Sequence, residues 1–341
     1  MNSSPGGAVP PVMRALRQPS STGPHDLHLV TDAPVPVPGP GEVLVRVSAA
    51  GVNFADVMQT HGTYGDGPTA PYIAGFEAAG EVVAVGPGPG DLEVGAHVIG
   101  TGPGAFAEYM VMAAGSATRV PPGWTDEQAL GLVLNWATAL AALRPLGRVA
   151  AGETVLVHAA AGGVGQAAVR LAKHYGATVI ATASAAKHAT VRALGADHVV
   201  EPRGGDHCGD DLAATVARLT GGRGVDLVLE SVGGETFRAS LAAAKRVTGR
   251  VVVYGAAEGP ATISNRDLTF THQVHMIGLH IGVLSQAAPE IYADLMAELA
   301  ALIGIGVLPP GRPTVYDLAD GATALCELAA RNTTGKLALR P

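Results

Sequence analysis

The sequence predicts an α/β protein of two domains: a doubly wound parallel sheet and a compact, barrel-like β-domain. Three observations lead there. Short apolar strands separated by Gly/Pro turns fill the first third of the chain, and from near Gly123 apolar strands alternate with Ala-rich helices. Glycine supplies 46 of 341 residues, about twice the usual ~7 %, with no collagen-like period. Length divided by ~150 residues per domain also gives two. An apolar fraction of 48 % against 15 % charged is enough for a large core and excludes disorder for most of the chain.

Residues 1–12 are rich in Ser, Gly and Pro and lack an apolar segment. They read as a disordered tail and not as a signal peptide, with the fold starting at Met13. Residues 42–47 (EVLVRV) alternate as a half-buried strand. Residues 80–86 form a second strand, stopped by Pro87-Gly88-Pro89-Gly90, and 91–99 return as a third. Residues 154–158 (TVLVH) are continuously apolar, as in a parallel strand covered on both faces. A helix over 165–174, a strand over 177–183 and a helix over 185–194 follow. Residues 225–229, 249–254 and 276–281 repeat the strand signal. The stretch 285–303 is helical, and a last helix (321–330) and strand (336–339) are expected to pack back on the first domain. The boundaries expected are 13–132 with 283–341 for the β-domain and 133–282 for the parallel sheet.

Charge and cysteine content narrow the function. The net charge is −7, with no basic run, which argues against nucleic acid as a partner. No stretch reaches ~18 uninterrupted apolar residues, so no membrane span is expected. Two cysteines, Cys208 and Cys326, form no Cys-x-x-Cys pair; neither a disulfide framework nor a structural zinc lobe is expected, and a reducing, cytoplasmic setting fits.

The most informative segment is 155–165 (VLVHAAAGGVG). A buried strand runs through a small-residue turn into a helix. Helix-start N–H groups favour an anion, and small residues let a pyrophosphate approach the backbone. Ala161, Gly162, Gly163, Val164 and Gly165 are therefore candidate pyrophosphate contacts. The pattern Ala159-x-x-Gly162-x-x-Gly165 departs from Gly-x-Gly-x-x-Gly, and the competing reading is a Gly-rich turn in a packed βαβ unit. A carboxylate at the end of the next strand would bind the ribose 2′-hydroxyl of NAD. Residues 179–184 carry none; instead Ser184 is followed by Lys187, one of only four lysines. A hydroxyl and a cation there suit the 2′-phosphate of NADPH, the alternative being that Lys187 is a solvated helix charge.

Four blocks carry a family resemblance: 51–56 (GVNFAD) with 62–64 (GTY), 71–80 (PYIAGFEAAG), the 158–165 turn, and 226–234 (DLVLESVGG) leading to 249–255 (GRVVVYG). In this order the chain resembles the medium-chain dehydrogenase/reductase superfamily, and within it the zinc-free quinone oxidoreductase branch. The resemblance covers nearly the whole chain. It implies a Rossmann dinucleotide-binding domain and a GroES-like β-barrel catalytic domain. Zinc-dependent relatives carry a Cys ligand in the first block and a His ligand before Glu in the second. Those positions are Asn53 and Phe76 here, and an amide and a phenyl ring cannot replace a thiolate and an imidazole on zinc. No metal is expected. Glu77 is kept, with a structural role implied beside a nearby Arg.

The resemblance also implies site residues. Asn53 and Asp56 lie beside the nicotinamide, and Tyr64 lines the substrate pocket. Asn53 can bond a cofactor amide or ribose, bond a substrate oxygen, or simply make an Asx-turn. Asp56 can act in catalysis, cap a helix or form an ion pair. Tyr64 can donate a proton or pack. Where relatives often have a second Tyr after Thr138, this chain has Ala139 and Ala141, implying a roomier pocket lined by Trp136; Thr138 contacts the nicotinamide face. Ser184, Lys187, Arg203 and Arg331 match 2′-phosphate contacts, although Pro202 replaces a Tyr that stacks on the adenine side. Val232, Tyr254 and Gly255 close the cofactor set at strand ends.

Without zinc, alcohol oxidation loses its Lewis acid. Hydride transfer from NADPH to a quinone or an α,β-unsaturated carbonyl remains feasible, because the charge that develops on oxygen needs donors and not a metal. The alternatives are an enoyl-thioester reductase of fatty-acid or polyketide metabolism and an NADPH-binding protein with little catalysis. Residues 273–281 read as the last strand of the parallel sheet, an edge that implies a homodimer by pairing with its two-fold mate.

Overall fold

The computed structural model describes residues 9–88, 90–201 and 208–341. It divides into two compact units, one taking the residues up to Leu134 together with Pro310–Pro341, the other Asn135–Pro309. The first crossing lies two residues from the expected one. The second lies well beyond the expected 282/283.

In the first unit, β1 (Val12–Gln18) pairs antiparallel with β2 (His28–Pro34) and β4 (Tyr72–Ile73). The fold thus starts slightly before Met13, and Pro11 O already accepts from Val35 N (3.1 Å). Residues 1–8 of the expected tail lie outside the described residues. β3 (Glu42–Val52) is the spine of a second sheet. One edge pairs with β5 (Glu77–Val85), which continues to β6 (His97–Thr101) and β8 (Ala117–Arg119). Its other edge is shared: β7 (Tyr109–Ala113) takes Glu42–Arg46, leaving the rest free for a later strand. Register shifts at Leu44/Val45 and Val47/Ala49 bend it. The alternating Val43, Val45 and Val47 are buried with Val98, Phe106, Met110 and Met112. Residues 91–96, expected within the third strand, precede β6. Helix α1 (Phe54–Thr60) follows β3 directly, and α2 (Asp126–Ala129) lies near the end of this stretch.

The second unit opens on α3 (Ala137–Leu143), fully buried. Then come β9 (Thr154–Val157), α4 (Gly163–His174), β10 (Thr178–Thr182), α5 (His188–Ala193), β11 (His198–Val200), α6 (Cys208–Leu219), β12 (Leu227–Glu230), α7 (Gly234–Ala243), β13 (Arg250–Val253) and β14 (His275–Gly278). Every pair is parallel, in the order β11-β10-β9-β12-β13-β14. The chain builds outward from β9 to β11, then returns to the other side of β9 with β12. That reversal is the topological switch at which open α/β sheets bind ligands, outside the carboxyl ends of the strands.

Helices α8 (Ile281–Ala287) and α9 (Pro289–Gly304) stay with this unit, packing on α3. Leu295, Leu299 and Leu302 bury their side chains. Glu298 accepts from Tyr175 Oη (2.7 Å) and Arg144 Nε (3.3 Å), tying α9 to the ends of α4 and α3. This corrects the expected return of 283–309 to the β-domain. The return is made by β15 (Thr314–Asp317), α10 (Gly321–Ala329) and β16 (Leu337–Arg340). β16 fills the free edge of β3, pairing Leu337 with Val52.

Candidate active site

The candidate dinucleotide cradle lies where β9 ends. Ala159 adopts a left-handed backbone (φ +47°), and Ala160 N donates to Thr182 O (3.0 Å) at the end of β10. Gly162 caps α4 without a side chain. The first N–H donated within the helix is that of Gln166, to Gly162 O (2.9 Å), so those of Gly163, Val164 and Gly165 have no intrahelical acceptor. A Cβ on Gly162 would meet only Ala159 O, at 3.3 Å, a contact relieved by a few tenths of an ångström, and the space is otherwise open. A Cβ on Gly165 would stand 2.4 Å from Ala159 O and 2.6 Å from Ala160 Cα, so glycine is required for α4 to lie against the turn. One open glycine and one close-packed glycine at a helix start are what a pyrophosphate needs.

The other cofactor positions follow. β10 ends on Thr182 with no carboxylate beyond it; Ser184 is exposed and Lys187 half-buried. Across the switch, Val232 and Gly233 follow β12, and both donate their N–H to Glu230 Oε1 (2.6 and 2.9 Å). Tyr254 N donates to Glu230 O (2.9 Å), and burial pushes the Tyr254 phenol up from its usual value. Gly255 packs against Ser231, where a Cβ would lie 2.7 Å from the carbonyl oxygen. Thr138 is buried in α3, and Trp136, just before it, is half-buried. Arg331 is an exposed residue of the first unit in a left-handed conformation (φ +61°). Arg203 and Pro202 lie outside the described residues.

The first unit holds a buried polar cluster. Asn53 caps α1 in a capping box with Asp56, whose Oδ2 accepts from Asn53 N (2.7 Å). Both hydrogens of the Asn53 amide have protein acceptors, Gly51 O (3.1 Å) and Glu77 Oε2 (2.8 Å). Its Oδ1 accepts from Lys336 Nζ (2.7 Å). This geometry favours the capping alternative over direct donation to a ligand. Glu77 is fully buried; besides Asn53 it accepts from Lys336 Nζ (2.5 Å) and Gly131 N (2.5 Å). The expected Arg partner is therefore corrected to Lys336, 259 residues away in sequence. The antiparallel pairing of β16 with β3 puts it there. Gly51 leaves the room, since a Cβ would stand 2.5 Å from Glu77 Oε2.

Asp56 is 2 % exposed, and its Oδ1 is buried with no hydrogen-bond partner. Burial pushes its pKa up to about 8, with the Glu77 charge adding to the effect. Tyr64 stacks on Phe76 (6.4 Å between ring centres, 24° between planes). Burial, then the Asp56 charge, raises the Tyr64 phenol. A cavity of 540 Å³ within this unit is lined by Phe76, Tyr72, Ile73, Gln59, Met110 and other mostly apolar residues. Tyr64 does not line it, contrary to expectation, but meets it through Phe76. Sequence reasoning missed Tyr72, whose buried hydroxyl has no partner; its place directly before Ile73-Ala74-Gly75-Phe76 was the available signal. Among the described residues no group of three or more His, Cys, Asp or Glu side chains could hold a metal ion.

Comparison with known proteins adds to this geometry. Residues 39–122 match the alcohol dehydrogenase GroES-like domain, and residues 163–300 the zinc-binding dehydrogenase family. Quinone oxidoreductase of Escherichia coli, solved in complex with NADPH, is 30 % identical with a TM-score of 0.87, over 96 % of this chain and 100 % of that one. The enoyl reductase CurK is 28 % identical with a TM-score of 0.85, over 96 % and 99 %. The mycocerosic acid synthase-like polyketide synthase of Mycobacterium tuberculosis is 39 % identical over 306 residues, 89 % of this chain. The chain spans only 14 % of that relative's length.

Proposed function

The chain belongs to the medium-chain dehydrogenase/reductase superfamily, and from that premise we propose that it is an NADPH-dependent oxidoreductase that reduces a quinone or an α,β-unsaturated carbonyl without zinc. One observation carries the zinc-free part. At the two positions where zinc-dependent relatives hold ligands stand an amide engaged on both sides and a phenyl ring stacked on Tyr64. Neither can coordinate zinc. The cofactor reading is supported by the open Gly162 at the sheet's switch point and by Ser184 and Lys187 where an NAD enzyme needs a carboxylate.

Bound NADPH supplies the hydride. The chain's own residues do the rest. The N–H groups of Gly163, Val164 and Gly165 would hold the pyrophosphate, and Ser184 and Lys187 the 2′-phosphate; Arg203 and Arg331 are assigned to that phosphate by the family resemblance alone. Thr138, Val232, Tyr254 and Gly255 border the nicotinamide half. Asn53, held by Glu77 and Lys336, fixes the start of α1 and with it Asp56. Tyr64 keeps its proton at neutral pH and so acts as a donor to the oxygen on which charge develops. The apolar cavity beside Phe76 takes the acceptor's carbon frame.

A panel of quinones, enones and enoyl thioesters, assayed by NADPH consumption, tests this reading. Turnover with none of them overturns it. Tyr64→Phe is expected to lower kcat by about 10²-fold, the lower end for a lost general acid, with NADPH affinity unchanged; unchanged turnover removes Tyr64 from the chemistry. An enoyl-thioester substrate is the second reading, favoured by the likeness to CurK and to the polyketide synthase. For assembly, the homodimer would form through β14, the sheet's outer strand, where Met276 is 38 % exposed.

A further inference from the structure

Beneath the cradle lies a buried polar chain that the reaction does not use. His158 and Glu230 are both 0 % exposed, at the ends of neighbouring strands β9 and β12. Their closest ring-to-carboxylate approach is 3.7 Å, and Ser240 of α7 bridges them. Ser240 Oγ donates to Glu230 Oε2 and lies 2.9 Å from His158 Nε2. On the other side of the ring, His158 Nδ1 lies 3.2 Å from Thr182 Oγ1, which also accepts from Ala159 N (3.2 Å).

Burial holds the His158 imidazole below its ordinary pKa, so it carries one proton at neutral pH. Ser240 has one hydroxyl proton, and the carboxylate is a stronger acceptor than the Thr236 carbonyl 2.8 Å away. His158 Nε2–H must then donate to Ser240, leaving Nδ1 as an acceptor for the Thr182 hydroxyl. Thr182 in turn takes the Ala159 N–H. Each donor thus points toward Glu230, whose other oxygen gathers the N–H groups of Val232 and Gly233. The ends of the chain are backbone groups of the two turns that flank the switch point. One of them, Ala159, sits in a left-handed conformation that L-residues avoid.

We propose that His158, Thr182, Ser240 and Glu230 are positioning residues for the dinucleotide, locking the turns at 159–162 and 231–233 into one register before it binds. The inference rests on the NADPH reading above. A buried carboxylate with an imidazole is seldom more stabilising than an apolar core of equal volume. What this chain provides instead is fixed geometry at two turns that lie at the carboxyl ends of neighbouring parallel strands, the edge of the sheet where ligands bind.

Paired variants test it. Thr182→Val keeps the shape and loses the hydroxyl; Thr182→Ser keeps the hydroxyl and loses a methyl. NADPH affinity, followed by fluorescence quenching, is expected to fall about 5- to 10-fold in Thr182→Val, the worth of about one hydrogen bond, and to stay within about twofold of wild type in Thr182→Ser. The reverse order would show a packing role and overturn the proposal. In Ser240→Ala, NADPH affinity should fall by a similar factor while 2′-AMP, which lacks the pyrophosphate and nicotinamide, binds as before. Equal loss of both ligands overturns the proposal. Hydrogen exchange of the ligand-free protein gives a readout independent of the cofactor: Ser240→Ala should speed exchange at 159–160 and 232–233 together, and unchanged exchange refutes the coupling. Wild-type protein that binds no NADPH fails the cofactor reading itself, a result distinct from all of these.

Discussion

Gly165 and Gly162 separate what the cradle needs for folding from what it needs for binding. In Gly165→Ala the new Cβ would stand 2.4 Å from Ala159 O, against about 3.4 Å for ordinary contact. Both partners are backbone, so α4 must retreat by about 1 Å. Overpacking of this kind costs ~1–3 kcal/mol, and the better helix propensity of alanine returns up to ~1 kcal/mol. The expected net loss is about 1–2 kcal/mol, read as a lower urea midpoint with an unchanged slope. The retreat also moves the Gly163–Gly165 N–H groups away from the proposed pyrophosphate position, and a misplacement of ~1 Å can cost about 10²-fold. Gly162→Ala makes the opposite pattern. Its Cβ meets one carbonyl oxygen at 3.3 Å, and φ is an ordinary −83°. Relieving that contact takes a shift of a few tenths of an ångström, so stability should stay within about 1 kcal/mol of wild type, while NADPH affinity falls at least tenfold because on the proposed reading the pyrophosphate approaches the backbone at this turn. A Gly165→Ala protein of unchanged midpoint, or a Gly162→Ala protein of unchanged affinity, would refute the reasoning.

Three further outcomes are expected. Lys336→Met strips the ammonium from fully buried Glu77 and should cost ~3–5 kcal/mol in denaturant unfolding; a loss under about 1 kcal/mol would mean the pair is solvated. Asp56 has a folded pKa of about 8 against an ordinary 3.8, so the folded state holds the extra proton. Its contribution to stability is fully present below about pH 4 and is lost as pH rises through about 8. Asp56→Asn should flatten the fall in unfolding midpoint between those values, and an unchanged profile would place the titration elsewhere. Met276→Lys puts a charge on the outer strand β14 and should convert a dimer to a monomer in light scattering, whereas a wild-type protein already monomeric would exclude pairing there.

Legibility in the sequence followed the range of the interactions. The β9–turn–α4 segment could be read because each signal is local: an apolar run, small residues, then helix. The same holds for β10, whose missing carboxylate is a matter of one strand end. The second domain crossing could not be read, since α9 is apolar enough to pack on either unit, and its assignment depends on Glu298 meeting Tyr175 and Arg144. Lys336 was visible as a residue but not as the partner of Glu77, because only the antiparallel register of β16 on β3 joins them. Likewise His158, Thr182, Glu230 and Ser240 come from four separate elements and meet only where parallel strands end side by side.

The pairing of β16 with β3 also joins the two ends of the discontinuous first unit. Replacing two metal-ligand positions by Asn53 and Phe76 leaves Glu77 as a buried carboxylate, and a buried charge persists only when it is paired and hydrogen-bonded. Two of its donors, Gly131 N and Asn53 Nδ2, are neutral. The one full positive charge comes from Lys336, which immediately precedes β16 and is reached only after the whole second unit has been traversed. Lys336 Nζ then bonds Asn53 Oδ1 as well, so the same ammonium fixes the amide that starts α1 and carries Asp56. Charge balance at Glu77 and the placement of Asp56 are thereby one problem, and both depend on β16 closing the free edge of β3.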